Sequence, residues 1–101
     1  MTVVMSAMSM VKTGRVEEAI ASGKKSVEQL KAAGGKNVRQ FLAMTSTPIR
    51  LIVVFEAANQ EELGKITDKY LANPEAQKLM GESLGDDGFL TGYVSESLIE
   101  V

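Results

Sequence analysis

The order in which hydrophobic patterns follow one another along this 101-residue chain constrains its fold more than any other feature. Short apolar runs at Thr2–Lys12, Asn37–Thr45, Ile49–Glu56 and Phe89–Val101 alternate with two longer stretches that repeat at helical spacing. Strand, helix, strand, strand, helix, strand predicts an α+β architecture. One four-stranded antiparallel sheet carries the helices on a single face. A chain of this length is expected to form one domain over residues 1–101, with a modest core.

The first strand, Val3 to Val11, runs into Lys12-Thr13-Gly14, where Thr13 and Gly14 can break the extended run and cap a helix. That helix is expected from Arg15 to Ala32, with Val16, Ile20, Gly23, Val27 and Leu30 as its apolar stripe and Ala19 widening it. Glu17 and Glu18 favour its start electrostatically, and Gly34-Gly35 ends it. Ser46-Thr47-Pro48 joins the second and third strands into a hairpin. Asn59 opens the second helix, with Glu62 three residues on and Leu63, Ile66 and Tyr70 as the buried face. Asn73-Pro74 interrupts it, so a separate short helix is expected from Pro74 to Ser83, burying Ala76, Leu79 and Met80. The run from Gly81 to Gly88 lacks the residues of a phosphate or calcium loop and reads as a solvated connector.

Composition removes several function classes. With no histidine and no cysteine, the usual general base, the usual zinc ligands and disulfide bonds are unavailable. The formal charge of −2 with interspersed signs gives no basic stripe, so a nucleic-acid partner is not expected. The first residues lack the charged leader of a signal peptide, and Lys12 interrupts any membrane span. A cytoplasmic protein without a bound cofactor is the expectation.

The faces of the sheet are more informative. Ile49-Arg50-Leu51-Ile52-Val53-Val54-Phe55 is apolar at both parities, the pattern of a central strand covered on both sides. In the first strand Val3, Met5, Ala7, Ser9 and Val11 share one face, while Val4, Ser6, Met8 and Met10 share the other. In the last strand Leu90, Gly92, Val94 and Leu98 are expected on the apolar face, with Tyr93, Ser95 and Ser97 on the mixed one. Such a mixture of methionine, serine and aromatic residues suits a second buried surface or a cavity. A lone chain cannot cover it, and a second copy of the chain is the simplest cover.

Two segments carry a resemblance to a known family. Met10-Val11-Lys12-Thr13-Gly14 is similar to a strand that ends in a Lys-Pro-Gly-like turn. Tyr70-Leu71-Ala72-Asn73-Pro74-Glu75-Ala76-Gln77 resembles a helix break of the His-Leu-x-Ser-Pro-x-Phe type. Both belong to the dimeric α/β-barrel superfamily of ferredoxin-like proteins, which includes antibiotic-biosynthesis monooxygenase domains and NIPSNAP-like proteins. The resemblance implies a βαββαβ homodimer whose sheets face each other, with a pocket between sheet and helices for an aromatic or polyketide-like molecule. Tyr70 stands where the family often has histidine, so haem degradation is not expected. Cofactor-independent monooxygenase-like activity is left open by the resemblance alone, since no catalytic motif is present.

The candidate ligand-binding residues are Ser6, Met8, Met10, Tyr70 and Tyr93, expected to line one cavity. Tyr70 and Tyr93 either present hydroxyls to a ligand or are core aromatics whose hydroxyls reach the rim. Arg39 and Arg50 could hold an anionic group or reach water from strand ends. Glu56 and Glu96 could act as buried acids or pair at the surface. No metal site is expected. The alternative to a ligand-binding protein is a non-catalytic assembly or regulatory module that uses the sheet face only as a dimer interface.

Overall fold

A computed structural model describes residues 2–45 and 47–99. The elements are β1 (Val3–Val11), α1 (Val16–Ala32), β2 (Lys36–Ala43), β3 (Arg50–Ala57), α2 (Gln60–Ala72), α3 (Pro74–Leu84) and β4 (Leu90–Ile99). Ser46 of the expected hairpin turn and Glu100 and Val101 of the expected last strand lie outside the described residues. The four strands are antiparallel to their neighbours in the order β2-β3-β1-β4. The apolar third strand therefore occupies an interior position, as its composition requires.

The helices begin where local chemistry places them. The Asn59 side chain accepts from the Glu62 backbone N–H at 2.8 Å, and that of Asn73 accepts from Glu75 at 2.9 Å. Each satisfies a donor that the first helical turn leaves without a partner. Pro74 then fits the first turn of α3, where its missing N–H costs nothing. The cap expected at Thr13 and Gly14 does not form: Arg15 takes the cap position without a side-chain cap hydrogen bond and pairs instead with Glu18 one turn on. α3 continues through Gly81 to Leu84, so the expected connector begins only at Gly85.

All three helices lie over one face of the sheet. Leu51, Val53, Phe55 and Ala57 of β3 are buried there, while the alternate Ile52 and Val54 are only partly covered. The core beneath the helices falls into two clusters. One gathers Val3, Leu30, Phe55, Leu63 and Ile66, and the other Val11, Ala19, Leu51 and Leu90.

The last strand departs from simple alternation. Val11 pairs with Leu90 and Met10 with Thr91, but Ser9 pairs with Tyr93. Gly92, at φ +67°, is the extra residue of a β-bulge, a left-handed conformation that glycine adopts without steric penalty. From Tyr93 onward the faces are the reverse of those expected. Tyr93 and Ser95 turn toward the helices opposite Ser9 and Ala7, while Val94 and Leu98 join Met8 and Val4 on the open face.

Candidate functional site: a hydroxyl-lined cavity under the helices

The side chains of β1 that face the helices run Val3, Met5, Ala7, Ser9, Val11, bulky at the ends and small in the middle. α1 presents Ser22 and Ser26 to the same place, and α3 presents Ser83. Large residues thus pack at both ends of the layer, and small ones leave its centre unfilled. The result is a cavity of about 280 Å³ between the two core clusters. That volume lies at the lower edge of the range for small-molecule pockets, roughly 300 Å³ upward.

Its wall is chiefly apolar, with Leu51, Val53 and Phe55 contributed by the sheet and Leu30, Leu79 and Met80 by the helices. Among the described residues the polar lining consists of hydroxyls, and no charged side chain reaches it. Several hydroxyls are already engaged. Ser83 Oγ donates to the Leu79 carbonyl at 2.6 Å, so in its 3.3 Å contact with Ser22 Oγ the latter is the donor. Thr67 Oγ1 donates to the Leu63 carbonyl at 2.9 Å. These bonds neutralise buried polarity inside the helices and leave the cavity weakly polar.

Tyr70 from α2 and Tyr93 from β4 both line the cavity. Partial burial pushes the Tyr93 phenol above its ordinary titration range. Proximity of Tyr70 adds to that shift, and a hydrogen bond with Ser95 opposes it. Tyr93 therefore stays protonated at neutral pH and can donate a hydrogen bond.

The sheet separates the five residues expected to share one cavity. Tyr70 and Tyr93 are brought together under the helices, but Ser6, Met8 and Met10 point to the opposite, open face. The correction has a simple cause, because strand parity puts Ser6, Met8 and Met10 across from Val54, Ile52 and Arg50. Only the bulge at Gly92 lets Tyr93 face the helices. Arg39, Arg50, Glu56 and Glu96 also lie outside the cavity, on strand positions of the open face. The residues that sequence reasoning passed over are Ser9, Ser22, Ser26, Ser83 and Ser95. The available signal was a set of small hydroxyl residues on inward-facing positions of four elements, β1, α1, α3 and β4. Among the described residues, no group of three or more acidic side chains is placed to hold a metal ion.

The open face is the second notable surface. Phe41, Val94 and Leu98 are about half exposed on it, at 49%, 52% and 50%, beside the partly covered Met8, Ile52 and Val54. No helix of the described residues is long and apolar enough to cross a membrane.

The fold defines the class: a ferredoxin-like α+β protein with its helices on one side of an antiparallel sheet. Solved structures share it closely. An uncharacterised NIPSNAP-like domain protein from Burkholderia xenovorans superimposes with a TM-score of 0.80 at 12% identity, covering 99% of this chain and 85% of its own. A NIPSNAP family protein from Agrobacterium tumefaciens gives 0.74 at 12% identity, covering 99% and 86%. A candidate antibiotic biosynthesis monooxygenase from Nitrosomonas europaea gives 0.69 at 13% identity, covering 96% and 88%. The neighbours thus come from the two groups that the turn and helix-break segments resemble, and at these identities the likeness establishes the fold. No protein-family model and no curated protein matches the chain by sequence.

Proposed function

We propose that the chain is a homodimer that binds a small hydrophobic or aromatic molecule in the cavity under its helices. The observation that carries this reading is the cavity itself: about 280 Å³, apolar, free of charged lining and ringed by hydroxyls that include both tyrosines. An uncharged planar ligand meets no buried charge there, and its polar atoms find hydroxyl partners. The half-exposed apolar residues of the open face support the homodimer, since a second copy would remove them from water. Monooxygenase-like turnover enters through the name of the Nitrosomonas neighbour, and the lining of this cavity offers tyrosine phenols but no carboxylate or imidazole to assist it.

Titration with Nile red, a neutral planar fluorophore, tests the ligand site. The expected result is one saturable site per chain, lost in Ser9→Leu while the far-ultraviolet spectrum is kept. Equal binding by wild type and Ser9→Leu, or no binding by either, would reject the cavity as a ligand site. In that case the open face favours the second reading, an assembly module whose sheet serves only as an interface.

A further inference from the structure

Arg50 is the charged side chain among the described residues that holds a buried donor without a partner. It stands at the start of β3 on the open face, partly buried, with Nη1 against the Met8 sulfur at 3.1 Å. Its Nε is shielded from solvent and has no hydrogen-bond partner, and none of the ion pairs among the described residues includes it. A guanidinium in this position becomes costly once the surrounding apolar face is covered, unless the cover brings an acid.

Among the described residues, the acids of this face lie at the opposite end. Glu56 is at the far end of β3 and Glu96 toward the far end of β4, opposite Val4 and Ser6 respectively on β1. Glu56 is held by Asn37 at 2.5 Å and Arg39 at 3.8 Å, both through Oε2. Its other oxygen remains to accept a further donor. The face therefore has a polarity along its strands, with the unpaired Arg50 at one end and the carboxylates, one of them already beside Arg39, at the other.

This polarity distinguishes the ways in which two copies can stack. We infer that the copies pack face to face with their strands antiparallel, so that Arg50 of each meets Glu56 of the other. The inference rests on the homodimer reading and adds its orientation. A twofold axis lying between the sheets and crossing the strands at Gln40, Val53, Ala7 and Ser95, which share one row of the sheet, lays β3 on its own reversed copy. Residues 50 and 56 are equally far from Val53 and become partners, twice per dimer. The same rotation brings Phe41 over the partner's Arg39, repeating the cation–π contact that the two already make at 5.6 Å within one chain. The parallel alternative, with the axis along the strands, sets Arg50 over a second methionine, Met10, and leaves it without an acid. It pairs Arg39 with Glu96 instead. Facing sheets stand about 10 Å apart, a gap that arginine and glutamate span together.

Charge swaps followed by light scattering on a sizing column and by sedimentation test the geometry. Wild type is expected to be dimeric at micromolar concentration. Arg50→Glu and Glu56→Arg are each expected to weaken the homodimer by about tenfold or more, since each sets like charges opposite each other. An equimolar mixture of the two is expected to form a heterodimer of near wild-type strength. The doubly swapped chain should do the same as a homodimer, and it provides the readout if either single variant does not fold. A dimeric wild type with no rescue in the mixture or the double swap would overturn the antiparallel arrangement. Rescue of Arg39→Glu by Glu96→Arg instead would establish the parallel one. A monomeric wild type would overturn both the orientation and the homodimer on which it rests.

Discussion

The two faces of the sheet are built from the same four strands, yet they are finished differently. Under the helices, β3 buries Leu51, Val53, Phe55 and Ala57, and the layer is solid at both ends but hollow at its middle. On the open face the alternate residues of β1, β3 and β4 are almost as apolar but only partly covered. The contrast separates two tasks that one sheet can perform. A covered face stabilises the chain and can enclose a ligand, whereas an apolar open face gains nothing until something else covers it.

The largest effect that would sharpen this contrast is expected from a pair of truncations. Ile66 is 1% exposed, so Ile66→Ala should cost about 3 kcal/mol, the same at every protein concentration. Ile52→Ala, on the open face, should lower the melting temperature mainly by loosening the dimer, so its effect should shrink as protein concentration rises. Equal, concentration-independent losses in calorimetry would mean that the open face is already as covered as the other. Next in size is Met8→Trp. It is expected to shift the monomer–dimer equilibrium severalfold by overfilling the open face, while Nile red binding is retained; loss of dye binding with the dimer intact would break the assignment of Met8 to that face. The smallest effect should come from Tyr93→Phe. Because the folded-state pKa of Tyr93 is raised, its contribution is complete below the unfolded value and is lost as pH rises through the folded one. Wild type should therefore lose melting temperature more steeply than the variant above about pH 10. Parallel curves would place the phenol in water.

Much of the architecture was legible because it depends on periodicity and on punctuation. Asn59, Asn73 and Pro74 mark their helix starts by local chemistry alone, and the continuous β-branched run of β3 announces an interior strand. The last strand was misread because alternation is counted from a starting residue, and one bulge resets the count. Gly92 was the visible warning, since an isolated glycine within a strand pattern is a usual bulge position. The candidate site was legible only in its tyrosines. Ser9, Ser22 and Ser83 matter through the volume they leave empty, and emptiness depends on three elements meeting in space. No single stretch of sequence displays it. The open-face residues Ser6, Met8 and Met10 were singled out for their chemistry, but the parity of β1 places them with the exposed apolar surface.

The hollow under the helices comes from side-chain size, with small residues standing where large ones would fill the layer. Exchanging Ser9, Ser22 or Ser83 for a larger or smaller residue resizes the chamber while leaving the even-numbered surface of β1 and β3 untouched. Odd and even positions of the same strands can therefore drift as separate traits. On the proposed reading, a lineage built on this scaffold can change the ligand it accepts without changing the partner face, and the reverse holds equally.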